Sequence, residues 1–143
     1  DIVIAAIHAD KLYVLDRNGD PLPGWEDGKS VEVTDPWGHA SPAIIGNLDD
    51  DPSLEIVYVG RQHVYVFKQD GSLLDGWPVA VDNGNSSYVT HELMSPSNMP
   101  VLADLNQDGH QEIVFLTAFG MLHAFDATGK DIYGFPINTH NDQ

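Results

Sequence analysis

The chain has 143 residues, no cysteine, 22 acidic residues against 6 Lys plus Arg, and a formal charge of −16. That balance excludes the basic surface that nucleic acid and anionic membranes reward. The missing thiols exclude a disulfide scaffold, a thiolate metal site and a cysteine nucleophile. An apolar content of 42% suffices for a packed core, and no apolar run approaches the ~18 residues of a spanning helix.

The predicted elements are β throughout. "DIVIAAI" (1–7) and "KLYVL" (11–15) are short and rich in Val, Ile, Leu and Tyr, with Asn18-Gly19 as a hairpin turn and Gly24-Trp25 behind it. The chain opens without a leader, as expected of a mature protein or of a piece of a longer one. The insertion "EDGKSVEVTDPWGHA" (26–40) follows. A lead-in, "SPAIIGNLDDDPSLE" (41–55), runs into "EIVYV" and "HVYVF", an Asp70-Gly71 turn and Gly76-Trp77-Pro78. After the insertion "VAVDNGNSSYVTHELMSPS" (79–97) the order recurs. "MPVLADLNQDGHQE" (99–112) leads into "EIVFL", an aromatic-rich run, Thr128-Gly129 and Gly134-Phe135-Pro136. No segment holds a 3.6-residue period, so no helix is expected.

Three copies of one unit are therefore present, divided as 1–40, 41–98 and 99–143. The third is expected to form strands near 100–105, 112–118, 121–126 and 131–137. Four antiparallel strands per repeated unit mark a β-propeller blade. The fold class is thus all-β, a partial propeller of about three blades, the first lacking its first strand. A β-sandwich with internal similarity is the alternative. Trp25, Trp77 and Phe135 share one repeat position and are expected to anchor packing.

The lead-ins carry the chemistry. In "DLNQDGHQE" the oxygens of Asp104, Asn106 and Asp108, the main-chain carbonyl of His110 and the carboxylate of Glu112 stand at loop positions 1, 3, 5, 7 and 9. Carboxylates that close repel one another unless a cation gathers them. Oxygen-only ligands in such number suit Ca²⁺ better than Mg²⁺. Gly109 allows the sharp turn. The last acid stands at position 9, not 12, and strands flank the loop, so it is no EF-hand. The earlier loop offers Asn47, Asp49, Asp51, the Ser53 carbonyl and Glu55 at the same positions. There Pro52 replaces the glycine and fixes φ near −65°, so an altered geometry is expected. An acidic, solvated turn is the alternative for both. Asp1 takes the place of Glu55 and Glu112 for a loop that would precede the chain.

These motifs, Pro-x-x-x-Asp-Leu-Asn-x-Asp-Gly-x-x-Glu-Ile-Val with Gly-Trp/Phe-Pro behind, resemble the FG-GAP or VCBS repeat. The resemblance spans nearly the whole chain and is strongest in the third unit. It implies a seven- or eight-bladed, calcium-binding propeller of the integrin-α type, secreted or at a cell surface, whose remaining blades come from a longer chain or companion chains. A looser likeness, through "KLYVLDRNGDPLPGW", is to quinoprotein-type propeller repeats, which lack the acidic loop.

No pattern selects a catalytic residue. The seven histidines show no zinc spacing, most being expected on exposed loops or strands, and no nucleophile elbow or phosphate loop is present. The insertions are expected to emerge on the face opposite the calcium hairpins, where Trp37, His39, Tyr88, His91 and Glu92 are candidate ligand contacts. The expected function is a non-catalytic scaffold or a module for adhesion, carbohydrate or protein recognition. The alternative is the propeller portion of a secreted polysaccharide-degrading enzyme, such as a lyase.

Overall fold

The structure, a computed structural model, describes residues 6–7, 10–32, 41–60, 62–81, 99–117 and 120–139. Among them the chain is all β, with no helix. The strands are β1 (Ala6–Ile7), β2 (Lys11–Tyr13), β3 (Lys29–Ser30), β4 (Ile44–Gly46), β5 (Glu55–Val59), β6 (His63–Phe67), β7 (Val79–Ala80), β8 (Val101–Ala103), β9 (Glu112–Leu116), β10 (Met121–Phe125) and β11 (Ile137–Asn138). They form a three-stranded sheet, β1-β2-β3, and two four-stranded sheets, β4-β5-β6-β7 and β8-β9-β10-β11. Every pairing is antiparallel. The first sheet has no counterpart of β4 and β8 among the described residues.

One turn recurs in all three units. The N–H groups of Asp16, Lys68 and Asp126 donate to the carbonyls of Asp20, Ser72 and Lys130. Gly19, Gly71 and Gly129 take φ of 89°, 78° and 79° in these turns, a region that only glycine enters without steric cost.

The sheets stack through two cores. Leu12, Val14 and Trp25 of the first unit pack with Ile56, Tyr58 and Phe67 of the second. On the other side, Val57, Val59, Val64 and Val66 pack with Ile113, Phe115 and Phe125 of the third. β5 alternates between these cores, so all five of its residues are buried. That explains why "EIVYV" has no polar alternation after its first residue.

Trp25 and Trp77 also bond to the next sheet. Trp25 Nε1 donates to the Gln69 carbonyl at 2.9 Å, and Trp77 Nε1 to the Ala127 carbonyl at 2.9 Å. Both acceptors are the second residue of the recurring turn. The expected packing role of these tryptophans is therefore observed, with a polar tie that the hydrophobic pattern does not announce. Glu32 adds another tie between the first two sheets. Its carboxylate meets His63 Nδ1 at 2.9 Å and accepts the Gln62 N–H at 2.7 Å, while its carbonyl accepts the Tyr58 hydroxyl at 2.9 Å. Burial holds the Tyr58 phenol well above its ordinary pKa, so it acts as a neutral donor.

The strand expected over 131–137 is shorter than that. Asp131 makes one bridge to Phe125, and ordered pairing resumes only at Ile137. A turn closed by the Phe135 N–H on the Ile132 carbonyl, with Gly134 at φ 95°, occupies the residues between.

Candidate metal centre

The two acidic loops are hairpin connections of equal length. Gly46 pairs with Glu55 at one hairpin base, and Ala103 with Glu112 at the other. Each glutamate therefore opens a buried strand, and each is only 1% exposed. Their carboxylates turn back into the loop. Leu48 N–H donates to Glu55 Oε2 at 2.8 Å, and Leu105 N–H to Glu112 Oε2 at 2.7 Å.

Beyond that shared anchor the loops diverge. In the loop of residues 47–55, Asp49 Oδ1 accepts the Asp51 N–H at 2.9 Å and Asp51 Oδ1 accepts the Ser53 N–H at 2.7 Å. Asn47 Nδ2 donates to the Asp51 carbonyl at 2.7 Å. One oxygen from each of Asp49, Asp51 and Glu55 lies within 4.8 Å of the others. Such a spacing suits a bound metal ion. Among the described residues, no other group of three His, Asp or Glu side chains converges in this way.

In the loop of residues 104–112 the side chains are engaged by the loop's own backbone. Asp104 uses both oxygens, accepting from Asp108 N–H at 3.2 Å and Gly109 N–H at 3.1 Å. Asn106 Oδ1 accepts the Asp108 N–H at 2.9 Å, while its Nδ2 donates to Glu112 Oε1 at 3.1 Å. Asp108 Oδ1 accepts the His110 N–H at 2.9 Å. Gln107 and Gly109 take φ of 62° and 96°, which allows this tight wrapping; no residue from 47 to 55 has positive φ. Pro52 thus goes with a more open loop, and the convergence of acids occurs in the less regular of the two motifs.

Electrostatics separate the loops further. Burial pushes the Glu55 carboxyl above its ordinary pKa, and the charges of Asp49 and Asp51 push it higher, against the Leu48 N–H bond. A buried carboxylate crowded by two others is relieved by a cation. Asp108 shifts the other way, lowered first by the His110 N–H, then by Asn106 and by the His110 ring.

The loops also meet. His110 Nε2 stands 3.2 Å from Asp50 Oδ1, across a crevice of about 200 Å³ lined by Asp49, Asp50, Asp108, His110 and Glu112. The loop motif involves His110 through its carbonyl only and gives Asp50 no role; the Asp-Asp-Asp run at 49–51 is the available signal. His123 likewise departs from the expectation of exposed histidines. It is 3% exposed, its Nδ1 is 2.9 Å from Asp131 Oδ2, and its ring stacks on Phe115 at 5.2 Å.

Trp37, His39, Tyr88, His91 and Glu92 lie outside the described residues, as does Asp1. Comparison with protein-family models, with curated proteins and with solved structures finds no match.

Proposed function

We propose that this chain is a calcium-stabilised segment of an FG-GAP-type β-propeller, serving as a non-catalytic scaffold or recognition module. The observation that carries the calcium half is the convergence of Asp49, Asp51 and Glu55 within 4.8 Å. These three, with Asn47 and the Ser53 carbonyl, would hold the ion. Bound there, Ca²⁺ supplies positive charge to three mutually repelling carboxylates and cross-links the hairpin between β4 and β5. Asp104, Asn106, Asp108, the His110 carbonyl and Glu112 are a second ligand set, which has to exchange backbone hydrogen bonds for the metal.

The propeller half is supported by sheets of like topology stacked face to face, and by the indoles of Trp25 and Trp77 donating to the same position of the next turn. A secreted or cell-surface setting follows from the calcium reading, since extracellular calcium modules bind in roughly the 10⁻⁴–10⁻³ M range. Recognition by Trp37, His39, Tyr88, His91 and Glu92 belongs to the same proposal. Thermal unfolding in chelator and in millimolar Ca²⁺ tests the metal reading, which predicts a higher midpoint in calcium. A glycan array tests recognition. An unchanged midpoint refutes calcium stabilisation whatever the array shows.

A further inference from the structure

We propose that the outer face of the third sheet docks a further four-stranded sheet of the same repeat. The inference rests on the propeller half of the reading above and not on its calcium half.

Register defines which residues are equivalent. Val57 pairs with Ile44 and Val66, and Val114 with Val101 and Ala124. Val64 pairs with Val59 and Val79, and Leu122 with Leu116 and Ile137. In the second sheet, Leu48, Val57, Val64, Leu74 and Trp77 are at most 7% exposed, because the third sheet covers them. Their counterparts in the third sheet are Leu105, Val114, Leu122, Ile132 and Phe135. All are apolar and none is buried; Leu105 is 45% exposed and the other four are half-buried. A chain of charge −16 thus keeps apolar residues at each of these places.

The occupant follows from continuity. This face of the first sheet is covered by the second, and this face of the second by the third. A fourth sheet of the same build continues the series. The first sheet of another copy fits less well, since it has three strands and no counterpart of β8 among the described residues. At the existing interface Leu102 of β8 sits against Gly46, where a Cβ would overlap it. The third sheet carries Ala103 at that register position, so the incoming sheet needs a residue smaller than Leu there. The Phe135 ring, unlike the indoles of Trp25 and Trp77, carries no N–H donor, so the incoming turn needs no carbonyl aimed at it.

The test extends the full chain with a second copy of residues 82–139 bearing Leu102→Ala, and measures thermal unfolding in chelator so that calcium plays no part. Leu122→Asp in the original third unit should shift the midpoint little in the 143-residue chain. In the extended chain it should lower the midpoint by on the order of 5 °C or more, as a buried charge would. Val64→Asp, at the covered equivalent position, should be severe in both. An equally small effect of Leu122→Asp in both chains, or an extension that stays unfolded beside a folded parent, overturns the proposal. If the unmodified chain sediments as a dimer that Leu122→Asp dissociates, the occupant is a second copy and the choice made here is wrong.

Discussion

Replacing Glu55 by Gln separates a metal ligand from a structural acceptor. Gln keeps an oxygen for the Leu48 N–H, which Glu55 accepts at 2.8 Å, and it nearly preserves volume at a site 1% exposed. What it removes is one charge within 4.8 Å of Asp49 and Asp51. At that separation a pair of like charges repels by about 1 kcal/mol in water and about 3.5 kcal/mol at an effective dielectric of 20. Asp51 is exposed and Asp49 half-buried, which favours the lower end. The raised pKa of Glu55 sets the pH sign. The folded protein holds this proton more tightly than the unfolded chain. Stability from this group is therefore present in acid and lost as pH rises from the ordinary carboxylate range through the folded pKa. In chelator at neutral pH, Glu55→Gln should stabilise the fold by about 1 kcal/mol. In calcium the sign reverses. The wild type gains about 2.7 kcal/mol at a hundredfold excess over Kd, and the variant, short one anionic ligand, gains far less. Urea unfolding in the two conditions measures both effects. Destabilisation of equal size in chelator and in calcium would refute the reasoning and leave Glu55 as a backbone acceptor alone.

Asp51→Asn should remove more of the calcium-induced rise in unfolding midpoint than Asp108→Asn, because the acids converge in the first loop; the reverse order would place the dominant site in the second loop. Trp77→Phe deletes the bond to the Ala127 carbonyl while keeping a ring, and should cost about 1 kcal/mol by chemical denaturation, against about 3–5 kcal/mol for Trp77→Ala. Gly19 and Gly24 share φ near 89° and 88°, but a Cβ meets nothing within 4 Å at Gly19 and overlaps the Asp70 carbonyl oxygen at Gly24. Gly19→Ala should therefore cost about 1–2 kcal/mol, and Gly24→Ala clearly more in the same assay.

Much of the fold was legible in the sequence because turn chemistry and strand pattern agree. Asn18-Gly19, Asp70-Gly71 and Thr128-Gly129 all close the recurring turn, and "EIVYV" and "EIVFL" both become central strands. The ends of strands were less legible. Gly134 and the turn at Phe135 shorten the last strand of the third unit, although its apolar residues continue. The acidic loops were legible as a pattern of oxygens, but spacing does not say where those oxygens point. Asp104 and Asn106 satisfy their own loop's N–H groups, whereas the loop with Pro52 lets three carboxylates converge. Contacts between units were hidden for a different reason. The His110–Asp50 approach and the indole bonds to Gln69 and Ala127 depend on how sheets stack, which no local pattern encodes.

Direct calcium titration of the intact chain by isothermal calorimetry, with Asp51→Asn beside it, tests the central claim most simply. The account predicts saturable binding by the wild type at no more than millimolar calcium and marked weakening by the substitution. Absence of binding at millimolar calcium, or binding that Asp51→Asn leaves untouched, would contradict it.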